Sequence, residues 1–288
     1  AVDEAYRAHI ALGGDPELAA ALDNFCWPDP VLSEGTPDGE HKAAQLVRAC
    51  EGLREACLVY GLPLVSGKDS MKNDARAGGK KISVRPTLLV TLMGGLSDVR
   101  KAISTDFLDA GDLVYLLGDT NGELGCTMFE RVVGRQAQAK GESQPEYGKA
   151  PDVDLAKAKA LYHALARAIS GRIVRSCHDC SDGGLAVALA ESCLGGRLGI
   201  KAELSRLPGS AAGAQAPGIL FSESGGRFIV SVRAQDRERF ESTLAGHPFR
   251  LLGSTDSTGI MELRLSGTVL AKASLADLER AFKTPISS

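Results

Sequence analysis

No apolar stretch of this 288-residue chain approaches the ~20 residues that a helix needs to cross a bilayer, so a spanning helix is excluded and no membrane partner is expected. Basic runs of more than a few residues are also missing, and the formal net charge is −3. That balance argues against nucleic acid as the main partner. The cysteines lack a disulfide framework: there are seven, an odd number without regular spacing, which reads as reduced thiols of a cytoplasmic protein. There is no short-period internal repeat and no G-x-x-x-x-G-K-[ST] phosphate loop. Nothing at the start reads as a signal peptide. Ala1-Val2-Asp3-Glu4-Ala5 stands in helical register without an initiator methionine, and the expectation is a piece of a longer protein.

The length predicts two domains of ordinary size, and a hydrophobic fraction of 44% is enough for a real core. Helices are predicted over 2–12, 40–60, 154–169, 185–194, 236–245 and 274–282. Strands are predicted over 18–23, 62–65 (buried), 82–93, 113–117, 172–175 and 200–204, with two more across 249–265. Residues 219–230 read as two strands across a tight turn, 75–81 as a turn, and 136–151 and 205–217 as loops, the first of them mobile. The pattern restarts near residue 108, where the domain boundary is placed. Helices alternate with strands, some of them spaced for hairpins, so the fold class is mixed α/β, or α+β.

The densest chemistry lies in Ser176-Cys177-His178-Asp179-Cys180-Ser181-Asp182-Gly183-Gly184-Leu185, read as strand, sharp turn and helix. Ser181 or Asp182 is placed to N-cap the helix. Gly183 and Gly184 leave first-turn backbone open to a ligand, and the helix start offers N–H donors to an anion. Asp179, at the end of the strand, can hold a hard cation that bridges phosphates. The same residues also suit a plain capped helix. Cys177 and Cys180 form a C-x-x-C, but no second ligand pair completes a zinc site, and the helix starts too late for a redox motif. His178 could serve as a general base, although strand alternation turns it from Asp179.

Other segments carry weaker signals. Ser66-Gly67-Lys68-Asp69-Ser70 follows a predicted strand and offers close backbone approach, a positive charge and a hydroxyl to a phosphate; as a bare pattern it equally suits a solvated turn. Asp23 ends a predicted strand and reads as a turn cap or a ligand. Glu4 sits at the edge of an apolar helix face, where a carboxylate is usually solvated. Glu223 and Arg227 flank a predicted turn and could pair with each other.

Taken together, these segments resemble the phosphoribosylformylglycinamidine synthase family. Leu22-Asp23-Asn24-Phe25-Cys26, Val65-Ser66-Gly67-Lys68-Asp69-Ser70-Met71, His178 to Leu185 and Phe221-Ser222-Glu223-Ser224-Gly225-Gly226-Arg227-Phe228 follow Ala1 to Ala5 in the family's order. The resemblance spans nearly the whole chain. It implies the second half of a synthetase region made of two aminoimidazole-ribonucleotide-synthetase-like units. Residues 1–108 would be the second N-terminal subdomain, truncated at its start, and residues 109–288 the second C-terminal subdomain.

The family reaction is an ATP-dependent carbon–nitrogen ligation in purine biosynthesis. Formylglycinamide ribonucleotide, ATP and glutamine-derived ammonia give the amidine; ATP activates the amide oxygen, and ammonia displaces phosphate. The implied cofactors are ATP and Mg²⁺. Position by position, the resemblance implies ATP contacts at Asp23, Gly67, Lys68 and Ser181, a substrate contact at Ser70, and metal ligands at Glu4 and Asp179. Lys68 stands where shorter members have a metal-binding asparagine, so a phosphate contact replaces a metal contact there. The auxiliary nucleotide site of large members also uses an asparagine four residues after the glutamate, and here that residue is Ala8.

The family's catalytic histidine and main glycine-rich phosphate segment belong to the first half, so no catalytic residue is assigned and the chain alone is expected to be inactive. The implied partners are that first half, a glutaminase module, and a second copy pairing through the N-terminal subdomain. Two other readings are open: a degenerate nucleotide-binding scaffold that pairs with the first half, or another synthetase of the superfamily, such as aminoimidazole ribonucleotide synthetase or selenophosphate synthetase.

Overall fold

The computed structural model describes residues 1–210 and 215–284. The chain forms two compact units: Ala1–His9 with Asp15–Gly95, and Ile10–Gly14 with Leu96–Ser288. Both mix helices with sheets, so the fold is α+β, as the pattern predicts.

The first unit holds most of α1 (Val2–Ala11), β1 (Ala19–Cys26), α2 (Gly39–Tyr60), β2 (Leu64–Ser70), a small hairpin of β3 (Ala75–Ala77) and β4 (Lys80–Ile82), and β5 (Thr87–Gly94). β1 is the middle strand of three, parallel to β2 and antiparallel to β5. α2 ends where Gly61 takes a left-handed backbone and donates its N–H to the Cys57 carbonyl, a conformation that only glycine adopts without strain. Tyr6 stacks on Tyr60 with ring centroids 4.7 Å apart. Ala21, Phe25, Leu53 and Ala56 are buried with them.

Four expectations are corrected in this unit. The strand predicted to be buried at 62–65 is β2, shifted forward, and it is exposed: Leu64 is 42% and Val65 58% accessible. The segment 66–70 is strand rather than turn, because β2 continues in register with β1 up to Ser70. Asp23 therefore lies inside β1, paired with Gly67 on one side and Val90 on the other. The turn expected at 75–81 is the β3–β4 hairpin.

The second unit is built on a seven-stranded sheet. Its strands are β6 (Leu113–Leu117), β7 (Val174–Asp179), β8 (Gly199–Glu203), β9 (Phe228–Val232), β10 (Phe249–Asp256), β11 (Ile260–Leu265) and β12 (Thr268–Ser274), in the order β12-β11-β8-β10-β6-β9-β7. All neighbours are antiparallel except β8 and β11. β6 and β9 are buried nearly end to end because both sheet faces are covered. On one face α5 (Gly184–Gly196) and α6 (Ala216–Phe221) pack Leu185, Leu189, Cys193 and Ile219 over Leu116, Ile229 and Leu263. Elsewhere Tyr162 of α4 (Leu155–Ser170) meets Phe228 edge to face, and Phe240 of α7 (Arg237–Thr243) packs on Tyr115. α8 (Leu275–Lys283) completes the described residues, N-capped by Ser274.

Here too the sequence reading needs correction. Residues 219–230 are not two strands: Ala216–Phe221 is helical, with proline in its first turn, and only Phe228 onward is strand. The loop expected from 136 begins inside α3 (Met128–Ala139). β7 reaches Asp179, four residues beyond the predicted strand. Of the loop expected over 205–217, residues 211–214 lie outside the described residues.

Candidate functional site

In the first unit, parallel pairing sets Asp23 opposite Gly67 and Asn24 opposite Lys68. A Cβ built on Gly67 would lie 2.7 Å from Asp23 Oδ1, closer than side-chain atoms pack. Glycine is therefore what allows the carboxylate to lie across β2. Side chains alternate along a strand, so Lys68 and Ser70 share one face of β2 while Gly67 belongs, with Asp23, to the other. Lys68 is exposed, and among the described residues it makes no ion pair. The expected ATP contacts thus divide: Asp23 with Gly67 on one face, Lys68 beside the expected substrate contact Ser70 on the other. Two residues of strand set the Lys68 and Ser70 backbone positions about 7 Å apart. Glu4 is exposed on α1.

In the second unit the strand–turn–helix at 176–185 forms as predicted, but its interior is occupied differently. Neither Ser181 nor Asp182 caps α5. The cap position is Gly183, with a left-handed backbone and no side-chain cap bond. Instead Glu223 Oε1 accepts the Gly183 N–H at 2.8 Å and the Met128 N–H, at the start of α3, at 2.9 Å. The Ser181 hydroxyl donates to Asp179 Oδ2 at 2.5 Å. A Cβ on Gly184 would lie 2.2 Å from the Ser222 carbonyl oxygen. Gly184 therefore admits the chain at Ser222, and the Gly183 N–H is taken by Glu223, so neither glycine leaves an open ligand surface.

Arg227 holds that segment. Its buried guanidinium donates to the carbonyls of Ser222 and Ser224 and to the Thr120 hydroxyl. The pairing of Glu223 with Arg227 is thus replaced: Glu223 satisfies backbone donors and Arg227 satisfies backbone acceptors. Sequence reading missed Glu223 as a cap because its partners are 40 and 95 residues away.

His178 does not point away from Asp179. Its Nδ1 is 3.7 Å from Asp179 Oδ1, and its Nε2 is 2.8 Å from Glu191 Oε2. Burial pushes its pKa down, but the Asp179 and Glu191 carboxylates outweigh burial and raise it to about 9. An imidazolium at neutral pH is a charge partner, not a general base. Cys177 and Cys180 are free thiols, each 1% exposed. Burial raises Cys177 well above the ordinary thiol range, which leaves it inert toward redox chemistry.

Beside the turn, Asp182 and Glu223 line a cavity of about 790 Å³ whose far wall is α3, with Glu130, Arg131 and Arg135. Among the described residues no three His, Cys, Asp or Glu side chains are arranged to hold a metal ion. With Asp179 engaged by Ser181 and facing His178, the described side chains do not make a closed Mg²⁺ site. No helix among the described residues is long and apolar enough to cross a membrane.

Residues 109–265 match the AIR synthase related protein family, C-terminal domain. The chain is 31% identical over 285 residues to the phosphoribosylformylglycinamidine synthase subunit PurL of Alkaliphilus metalliredigens, covering 98% of this chain and 35% of that protein. It is also 31% identical over 291 residues to the subunit of that name from an Anaeromyxobacter species, covering 98% and 34%. The chain thus spans about a third of the length of these curated relatives. Among solved structures, Thermotoga maritima PurL complexed with FGAR superposes with a TM-score of 0.69 at 16% identity, over 96% of this chain and 42% of that one. The hydrogenase maturation protein HypE in complex with ATP gives 0.67 at 17%, over 96% and 80%. At those identities the likeness is one of fold.

Proposed function

The chain belongs to the AIR synthase related protein family, and on that premise we propose that it is the C-terminal part of the synthetase region of a phosphoribosylformylglycinamidine synthase. In this reading it serves ATP-dependent conversion of formylglycinamide ribonucleotide and glutamine-derived ammonia to the amidine, in purine biosynthesis. Residues 1–108 act as the second N-terminal subdomain and 109–288 as the second C-terminal subdomain. The observation that carries the reading is the open face of β2, where Lys68 stands beside Ser70. An unpaired ammonium suits a transferring phosphate, and a neighbouring hydroxyl suits the ribonucleotide to be phosphorylated. Asp23 and Gly67 contribute the nucleotide contacts of the opposite face, and Ser181 a nucleotide contact in the second unit.

Mg²⁺ is proposed to arrive with the nucleotide, and Glu4 and Asp179 are each proposed, within their own unit, as a carboxylate ligand. Among the described residues neither belongs to a ready-made cluster, so phosphate oxygens and water would supply most of the ligands. The proposed partners are the first half of the synthetase, a glutaminase module and a second copy of the N-terminal subdomain, in the cytoplasm. The exposed Leu64, Val65, Leu89 and Met93 of β2 and β5 support a partner on that unit.

The test is reconstitution. Assembled with the remainder of the synthetase and a glutaminase, the protein is expected to form the amidine with one ADP and one phosphate per turnover, and the chain alone is not. Lys68→Ala in the assembly is expected to lower kcat/KM for ATP at least tenfold. Turnover by the chain alone, or an unchanged Lys68→Ala, overturns the reading.

A second reading, a scaffold whose nucleotide pocket is degenerate, is favoured by Ala8 and by the Gly183 N–H already held by Glu223. Asp179→Asn in the assembly separates the two: a slower rate at full stability means participation in turnover, and lost folding with normal kinetics in the folded fraction means scaffold.

A further inference from the structure

A second large groove lies in the second unit, at the start of β7 rather than at its Asp179 end, and its lining differs in kind. It has a volume of about 720 Å³, and its charged lining residues are Arg100, Lys101, Arg172, Arg175 and Arg233, with no carboxylate among them. Asp98, Asp109, Asp112 and Asp236 pair with Arg100, Arg175 and Arg233 from outside the lining. The Lys101 ammonium donates to the Ser170 hydroxyl, at 3.4 Å, and among the described residues neither it nor Arg172 makes an ion pair. In a chain of net charge −3, this is a local concentration of positive potential, and a cleft of one sign focuses its field on an entering counter-ion.

The backbone makes a second, independent point. Arg172 turns the chain from α4 into β7 with φ of +56°, a left-handed conformation that costs a side-chain-bearing residue roughly 1 kcal/mol and suits glycine better. An arginine there is useful for its side chain. Arg175 Nε is buried and makes no hydrogen bond, facing Asp112 Oδ2 at 3.6 Å. The fork of Arg100 is held by Asp98, so Arg172, with Arg175 and Arg233 beside it, supplies the guanidinium groups suited to planar recognition of phosphate, and Ile103, Ile169 and Val174 supply an aliphatic wall. The volume is that of a small-molecule site. The sequence has no long basic run, which argues against a strand of nucleic acid, since that needs a longer track.

We propose that this groove binds a small polyanion with at least two linked phosphate groups, of nucleotide size, at a site separate from the Lys68–Ser70 face. The test is isothermal titration of the whole chain at low salt with pyrophosphate and, separately, with ATP, both without divalent metal. Both are expected to bind, and raising the salt severalfold is expected to weaken both. Lys101→Ala combined with Arg172→Gly is expected to weaken pyrophosphate binding at least tenfold, whereas Lys201→Ala, at an exposed cation outside the groove, leaves it unchanged. Arg172→Gly relieves the backbone, so its melting temperature is expected to be no lower than the parent's, which separates lost binding from lost folding. ATP binding tenfold tighter than pyrophosphate assigns a nucleotide; equal affinity assigns the phosphates alone. The proposal is overturned if pyrophosphate does not bind, if the double variant binds it normally, if Lys68→Ala abolishes the binding, or if an oligonucleotide displaces pyrophosphate at lower concentration.

Discussion

Gly67 separates a local effect on ligand from one on stability. The atom in the way of a Cβ is the end of a flexible carboxylate, so Gly67→Ala has an inexpensive escape: Asp23 swings aside. Gly67→Ala is therefore expected to change stability by less than about 1 kcal/mol while weakening ATP binding in the assembled protein. Equal loss in both, by melting and titration, would contradict the assignment of Asp23. Glu223 is the opposite case. Removing its carboxylate strands the Gly183 and Met128 N–H groups, and Glu223→Ala is expected to cost about 2 kcal/mol, with Glu223→Gln costing less because an acceptor remains. Chemical denaturation of the two variants checks the order. The Gly-Lys-Asp-Ser and Asp-Gly-Gly motifs were legible in the sequence as residue types. What each touches was not, because alternation along β2 and a carboxylate from residue 223 are decided by pairing and packing.

At the scale of elements, the regular helices were legible from their apolar period and their caps: Asp154 and Ser274 each accept the N–H three residues on. α3 went unread although Thr127 and Glu130 form the spacing of a capping box. Thr127 Oγ1 accepts the Glu130 N–H, and Glu130 reaches back to the Cys126 N–H. Gly134 and the adjacent Val132 and Val133 disguise the helix that follows. Thr127→Ala is expected to cost about 1 kcal/mol. α6 was misread because Ile219, Leu220 and Phe221 are a short apolar run, which periodicity alone cannot assign.

Glu203 joins β8 to the β11–β12 turn by accepting from Ser205, Ser266 and Gly267. The Ser205 hydroxyl, helped by those backbone N–H groups and opposed by burial, lowers its pKa from 4.5 to about 2. A depressed carboxylate stabilises above its unfolded pKa, and that contribution is lost as pH falls through the folded value. Glu203→Gln is thus expected to melt below the parent at pH 7, with the gap closing between pH 4.5 and 2. A constant gap across that range would remove Glu203 from the account.

For the molecule as a whole, the fold class was legible, whereas the accessibility of the first sheet was not. An apolar run such as Leu62-Pro63-Leu64-Val65 looks buried from sequence because hydrophobicity does not record which neighbour covers it. The three strands of that sheet leave Val65, Leu89 and Met93 at 57–60% exposure, more than scattered surface apolars require. Sedimentation of the isolated chain is expected to show self-association that rises with concentration, and Val65→Lys with Leu89→Lys is expected to reduce it. A parent that stays monomeric at high concentration would speak against a partner on this unit.

The strand order of the second unit bears on how the chain is made. β10, from residues near 250, sits between β6 and β8, which precede it by more than 130 and about 50 residues. A ribosome has delivered most of this unit before the middle of its sheet can close. Until then β6 and β8 wait with their inner edges unpaired, which is when a nascent chain is most open to wrong partners. Synthesis arrested before residue 249 should leave a product that chaperones retain, and completion through β10 should release it.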